Sequence, residues 1–169
     1  MDNQKDKKKK GERKVIPLKF FNESEKEKIL RQLKQQFGIK EIPWRLARIG
    51  KERLLLFSGD ISDREVLNLD RVAHIEGIGL YFAKEQADGI RLSIEGSQLL
   101  KSQITKNIFE LNEKQAEQWM LGQELNIKTD KKGFFVIKFN EDFLGTGKIS
   151  ENRITNFVPK QRRLKSREI

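Results

Sequence analysis

The amino-acid sequence predicts an α+β fold, in which a small N-terminal α/β unit precedes a larger, strand-rich unit. Apolar residues at helical spacing begin the first unit, and two strand-like runs around a tight turn complete it. Short apolar runs separated by polar turns dominate residues 133–163 and predict a small sheet that ends in a basic cluster. With 169 residues, the chain is long enough for one domain or for two small ones that share a boundary.

The predicted first unit spans residues 15–70, after a basic tail of residues 1–14 whose composition predicts disorder. Its helix covers about residues 24–37, because Ile29, Leu33 and Phe37 form an apolar stripe. Asn22 or Ser24 can cap the start of this helix, and Gly38 can end it. Strands over residues 44–49 and 53–58 then form a hairpin, and Ser62 starts a short helical turn that runs to about residue 67 or 69.

The second unit is predicted over residues 71–164 and begins with one or two strands in residues 71–83, broken at glycines. Asp88-Gly89 marks a turn, and alternation of apolar and polar residues from Ile90 to Ile94 indicates a half-buried strand. A helix is expected to start at Gly96-Ser97, and a second amphipathic helix covers residues 112–121.

The final sheet is predicted from three apolar runs. Phe134–Ile137 forms the first strand, and a second run at Phe143-Leu144 stops at Gly145-Thr146-Gly147. The third run ends at Pro159 and passes directly into a basic cluster, while residues 165–169 form a C-terminal tail.

The net charge of +10 is concentrated at the two ends of the chain. Residues 1–14 have a net charge of +4 and residues 148–169 have +5, so the remainder is almost neutral. Clustered Lys and Arg favour a polyanionic partner, because binding to phosphates releases counterions from the nucleic acid. The alternative interpretation is that these ends are solvated tails that keep the protein soluble.

The composition argues against several classes of chemistry. The chain has no cysteine, which excludes disulfides, thiolate metal sites and a cysteine nucleophile. No His, Asp and Glu cluster has metal-ligand spacing, and His74, the sole histidine, lies in an apolar run typical of a core or edge position. No apolar stretch could span a bilayer, and no secretory signal is recognised, so we expect a cytoplasmic protein without a metal or other cofactor.

Six segments together resemble a PUA-type RNA-binding module, in particular the PUA-like region of RsmF-type (Sun/Fmu) rRNA cytosine-5 methyltransferases. These segments, which run in order from about residue 75 to 164, are Gly79–Tyr81, Asp88–Leu100, Leu111–Ala116, Gly133–Ile137, Leu144–Lys148 and Asn156–Lys160. The resemblance implies a β pseudo-barrel of five or six strands with short helices. It also implies that structured RNA lies across a glycine-containing loop and the first helix, and against the last strand.

Carried onto this chain, the resemblance implies RNA contacts on two sides of the module. They are Arg91, Ser93, Gly96, Ser97, Lys148, Asn156, Lys160, Arg162 and Arg163. A glycine at a helix start would let a phosphate approach backbone N–H groups, and Lys and Arg would supply charge. Asn can read a base edge or a 2′-OH.

Structural interpretations of the same residues remain open. Gly96 can form a tight turn, Gly145 and Gly147 can permit strand curvature or a bulge, and Asn156 can satisfy a turn. Tyr81 can stack on a base or belong to the core.

The sequence does not favour an enzyme. Cytosine-5 methylation requires the cysteine nucleophile that this chain lacks, and no glycine-rich strand–loop–helix suits S-adenosylmethionine. Asp60 has the residue type of a pseudouridine synthase nucleophile but lies in a turn, without room for the catalytic domain. The 25 acidic residues leave a two-carboxylate hydrolase open.

The sequence therefore predicts a non-catalytic RNA-binding protein for rRNA or tRNA, in ribosome biogenesis or RNA modification. The alternative is a protein–protein adaptor, whose N-terminal hairpin edge would dock an RNA methyltransferase or a ribosomal protein.

Overall fold

The computed structural model describes residues 18–72 and 78–165. The predicted N-terminal tail, the residues from Val15 to Pro17, His74 and the last four residues lie outside the described part.

Four helices and nine strands make up the described chain. The helices are α1 (Glu23–Phe37), α2 (Asp63–Val72), α3 (Ile94–Leu99) and α4 (Glu113–Met120). The strands are β1 (Leu18–Phe20), β2 (Arg45–Ile49), β3 (Arg53–Phe57), β4 (Leu80–Gln86), β5 (Gly89–Leu92), β6 (Ile108–Glu110), β7 (Gly133–Phe139), β8 (Asp142–Ser150) and β9 (Arg153–Thr155).

Side-chain caps place the starts of two helices where the sequence predicts them. Asn22 accepts a hydrogen bond from the N–H of Glu25, whose carboxylate bonds back to the Asn22 N–H. Asn112 and Gln115 form the same reciprocal arrangement at α4. Gly38 ends α1 in the left-handed conformation, with φ of 86°.

The first five strands form one antiparallel sheet in the order β1-β2-β3-β4-β5. The predicted boundary between residues 70 and 71 therefore falls within the segment that joins two strands of this sheet. The strand predicted from Arg71 is wrong at its start, because Arg71 and Val72 belong to α2. In the adaptor alternative, the edge of the β2–β3 hairpin is the docking site for a protein partner. In the structure both strands of the hairpin are paired, because β1 pairs with β2 and β4 pairs with β3.

The second sheet contains β6-β7-β8-β9, and its first pair is parallel. The sequence did not predict β6. The break predicted at Gly145-Thr146-Gly147 is also wrong, because β8 continues through it to Ser150. A bulge absorbs the irregularity: the pairs Val136–Thr146 and Lys138–Phe143 leave two residues of β8 opposite one of β7, and Gly145 has φ of +80°.

The two sheets share a core rather than close into one barrel. One buried cluster unites α1 and β2–β5 with Phe134, Val136 and Phe143 of the second sheet. At the junction, the Leu92 N–H of β5 donates to the Thr146 hydroxyl of β8 over 3.0 Å. Within the described residues the strands remain in two sheets, so the predicted pseudo-barrel is not closed. At this junction the hydrogen bond to the Thr146 hydroxyl takes the place of the backbone hydrogen bonds that join neighbouring strands within one sheet.

A second buried cluster lies on the other side of the β6–β9 sheet. It is formed by α4 and strand residues around Trp119, which is fully buried and donates its indole N–H to the Leu144 carbonyl. The two clusters cover opposite faces of β7, because Phe134 and Phe135 alternate between them.

Candidate nucleic-acid interface

Two neighbouring aromatic rings with a cation at each end form a row across the junction between the two sheets. The Lys148 ammonium lies 5.6 Å from the centre of the Phe134 ring, and the Phe134 and Phe157 ring centres are 6.5 Å apart. The Arg91 guanidinium lies 4.1 Å from the centre of the Phe157 ring. We call these four residues the cation–aromatic strip.

Strand alternation determines which side chains of the strip reach the surface. Arg91 lies between buried Ile90 and Leu92 on β5, and it is half-buried over Phe157. Lys148 is exposed on β8 and pairs with Phe134 across the ladder. The buried Phe134 ring therefore forms the floor of the strip, and the two cations remain accessible.

A cavity of about 50 Å³ adjoins the Arg91 end of the strip. Tyr81, Ser93, Phe157 and Pro159 contribute to its lining, together with the β8 bulge at Gly145. Arg162 lies in a neighbouring groove with Tyr81 and Pro159. The C-terminal basic cluster is thereby brought beside the strip, because the chain passes from Phe157 through Pro159 into a 3-10 turn over Lys160–Arg162.

Two carboxylates hold cations of this surface. Asp88, in the turn between β4 and β5, forms an ion pair with Lys148, and Glu95 of α3 forms one with Arg162. The hydrogen bond from Lys148 lowers the pKa of Asp88 below its ordinary value. Both ion pairs remain open to solvent, so water and salt weaken them.

Gly96 and Ser97 have structural environments that the sequence did not reveal. Helix α3 starts at Ile94 with Ser93 as its cap, so the expected helix start at Gly96-Ser97 is wrong. A Cβ on Gly96 would lie 2.1 Å from the Phe82 carbonyl oxygen, so glycine permits α3 to pack directly on β4. The buried Ser97 hydroxyl donates to the Ile94 carbonyl and accepts from the Gly145 N–H, which ties α3 to the bulge.

Ser93 and Asn156 also use their polar groups internally. The Ser93 hydroxyl accepts from the Gly96 N–H and donates to the Tyr81 carbonyl. The Asn156 amide donates to the carbonyls of Trp119 and Gln123, while its oxygen accepts from the Val158 N–H. Asn156 therefore fastens the end of β9 to α4, and its polar atoms are occupied.

The remaining predicted cations divide between surface and structure. Arg91, Lys148 and Arg162 lie along the strip or in the adjoining groove, and Lys160 is exposed at the start of the 3-10 turn. Arg163 instead donates its Nε–H to the Val158 carbonyl over 3.0 Å. The structure thus places Arg91, Lys148 and Arg162 along one surface. It uses other predicted residues in internal hydrogen bonds, namely Ser93, Ser97, Asn156 and Arg163.

Sequence reasoning overlooked the role of the aromatic rings. The Arg91 guanidinium lies over Phe157, and Phe134 lies between Phe157 and Lys148, although the sequence indicated only a strand position for Phe134. Tyr81 is half-buried and lines the cavity rather than belonging wholly to the core. The available signal was the position of Phe157 within the basic C-terminal segment.

The described part of the chain contains neither a cluster of metal-binding side chains nor a membrane-spanning helix. Across residues 18–72 and 78–165, no group of three or more His, Asp or Glu side chains could hold a metal ion. None of the helices described here is long and apolar enough to cross a membrane.

Arg91 of the strip belongs to the five-stranded sheet, whereas the other three strip residues lie in a C-terminal segment that matches a known family. Residues 106–164 match the family model of the methyltransferase RsmF PUA domain. This part of the chain is a PUA-like region related to RsmF-type methyltransferases. The match contains Phe134, Lys148, Phe157 and the basic turn, and it confirms the resemblance for about a third of the chain. A comparison with curated proteins finds no match.

PUA domains are RNA-binding modules, so the PUA-like region indicates RNA binding in the context of an RNA methyltransferase. Arg91 and Tyr81 lie outside the matched residues but adjoin them in space. The surface beside the PUA-like region therefore includes strands of the five-stranded sheet.

Proposed function

We propose that this chain is a non-catalytic RNA-binding protein of the cytoplasm that recognises structured rRNA or tRNA. It would act in ribosome biogenesis or RNA modification, beside a separate RNA-modifying enzyme or a ribosomal protein. The observation that carries the proposal is the cation–aromatic strip, three of whose four residues belong to the PUA-like region. The absence of cysteine from the sequence supports a role without cytosine-5 methylation chemistry.

The strip and the residues of the adjoining cavity and groove supply two kinds of interaction that RNA recognition uses. Lys148, Arg91 and Arg162 offer charge to phosphates, and Arg can bond two phosphate oxygens at once. The half-buried Tyr81 and Phe157 offer ring surface next to the cavity, where an unpaired base can stack. Phosphate contacts position the RNA, and the ring surface beside them favours an RNA that presents unpaired bases in a loop or at an end.

Binding measurements with folded and unfolded RNA test this function. Fluorescence anisotropy would compare folded total tRNA and rRNA fragments with poly(U) over a salt titration. The expected result is tighter binding of folded RNA and an affinity that falls steeply with salt. Substituting Arg91→Glu together with Lys148→Glu is expected to remove the preference for folded RNA, with a thermal melt to verify folding.

The matched control places the same change of charge in the N-terminal lysine run, as Lys8→Glu with Lys9→Glu. This control is expected to weaken binding to every RNA while the preference for folded RNA remains. If the control removes the preference as completely as the strip variant does, net charge sets the preference, and recognition by the strip is contradicted.

A protein–protein adaptor is the second candidate. Helix α2 favours it, because Leu67 and Leu69 are 40% and 47% exposed there. Such a protein would retain its partner after the Arg91→Glu and Lys148→Glu changes. It would also show no RNA binding at about 0.15 M salt, where specific recognition persists.

A further inference from the structure

The strip and its groove contain two cations that the free protein already neutralises. Lys148 is paired with Asp88 from the β4–β5 turn, and Arg162 is paired with Glu95 from the first turn of α3. Each carboxylate comes from an element other than that of its cation. The pairs therefore form only in the folded chain.

We propose that Asp88 and Glu95 occupy, in the free protein, the positions that two RNA phosphates take in the complex. The inference rests on the proposed RNA-binding function and concerns the same surface. RNA would displace each carboxylate from its cation, so Asp88 and Glu95 act as specificity-determining residues. A polyanion that can place only one phosphate on this surface would displace one carboxylate and leave the other ion pair intact.

Exposure makes this exchange feasible. The side chains of Lys148 and Asp88 are both 49% exposed, and those of Arg162 and Glu95 are 57% and 26% exposed. An exposed ion pair contributes little free energy, because water competes with the partner and salt screens it. A phosphate can therefore replace a carboxylate at modest cost, and its two charged oxygens accept from the same N–H donors.

Arg91 is arranged differently from the two paired cations, and this difference supports the inference. Arg91 stacks on Phe157 in the same strip, whereas Lys148 and Arg162 are each held by a carboxylate. It can bind the first phosphate without displacing an acid. The two paired cations then respond only to an RNA whose backbone continues beyond Arg91 to reach them.

The test removes each carboxylate without changing its shape. Asp88→Asn and Glu95→Gln are each expected to raise the affinity for folded total tRNA by about 1.5- to fivefold, the range set by an exposed ion pair. Asp63→Asn is the matched control, because Asp63 forms an exposed ion pair with Arg45 on β2. That pair lies three strands from β5, about 14 Å away, and its removal is expected to change the affinity by less than about 1.5-fold.

A double-mutant cycle separates competition from simple repulsion. If Asp88 competes for Lys148, the gain from Asp88→Asn disappears in a Lys148→Gln background. If Asp88 only repels phosphate, the gain persists in that background, and the inference is overturned. A gain equal to that of Asp63→Asn would also overturn it, since net charge alone would then explain the result.

Failure of the inference differs from failure of the proposed function. If the wild-type chain binds tRNA and neither variant gains affinity, the carboxylates do not compete, but RNA binding stands. If the wild-type chain binds neither tRNA nor rRNA fragments, both proposals fall. Thermal melts of each variant would verify that all are folded at the temperature of the binding assay.

Discussion

Replacing Arg91 with Gln is the most direct perturbation of the cation–aromatic strip. Arg91 is half-buried, and its guanidinium lies 4.1 Å from the centre of the Phe157 ring. The change removes one phosphate-binding charge and the cation–aromatic contact, while leaving a polar side chain on the same strand. Because the alternate positions Ile90 and Leu92 hold the strand in the core, the fold is expected to persist.

The magnitude follows from the loss of a single charged contact. A hydrogen bond to a charged partner on a half-exposed surface contributes about 1–2 kcal/mol, so the affinity for folded tRNA is expected to fall about 5- to 30-fold. The slope of log K against log salt is expected to become shallower by about 0.7–0.9, the number of counterions that one phosphate contact releases. Arg91→Lys retains the charge and should retain the slope, while losing the planar contact with Phe157.

Fluorescence anisotropy over about 50–200 mM salt measures both quantities. The matched control is Arg31→Gln, which removes the same residue type from an exposed position on α1, outside the strip. The reasoning would be refuted if Arg91→Gln left the slope at the wild-type value, or if Arg31→Gln reduced it equally. In the first case Arg91 touches no phosphate, and in the second the protein responds only to its net charge.

Three further predictions concern the framework that supports the strip. Thr146→Val is expected to destabilise the fold by about 1–3 kcal/mol, because the Leu92 N–H would lose its buried partner. Chemical denaturation measures this loss, and an unchanged denaturation midpoint would contradict the prediction. Gly96→Ala places a Cβ 2.1 Å from the Phe82 carbonyl oxygen of β4 and is expected to lower the free energy of unfolding by about 1–3 kcal/mol. A thermal melt should show a lower Tm, and a higher Tm would disprove the close packing. The hydrogen bond from Lys19 lowers the pKa of Glu25 below 4.5, so Glu25 stabilises the fold above that pH and the contribution is lost as pH falls through the lowered value. The difference in Tm between wild type and Glu25→Gln should therefore shrink between about pH 6 and about pH 3, and a constant difference would exclude this role.

Local sequence signals accounted well for helices and hairpins. The stripe of Ile29, Leu33 and Phe37 predicted α1, and Asn22 was one of two residues expected to cap it. The helix expected over residues 112–121 is α4. These helix predictions agree with the structure because capping and helical periodicity depend on residues within one or two helical turns.

The errors occurred where distant segments meet. The run at Gly145–Gly147 was predicted as a break, but β7 pairs with β8 through it and a bulge accommodates the left-handed Gly145. The start of α3 moved to Ile94, because the Ser93 hydroxyl caps the Gly96 N–H while glycine lets the helix approach β4. Neither effect is visible in local spacing.

The sequence by itself determined the residue types of the candidate site: a basic C-terminal segment, Arg91 alternating with core residues, and glycines among the strands. Only the tertiary structure decided how these residues are used. It buried Ser97, stacked Arg91 on Phe157, and paired Lys148 with Asp88, 60 positions away in the chain. The physical reason is that charge and residue type are properties of single positions, whereas burial and ion pairing arise when the two sheets pack on one core.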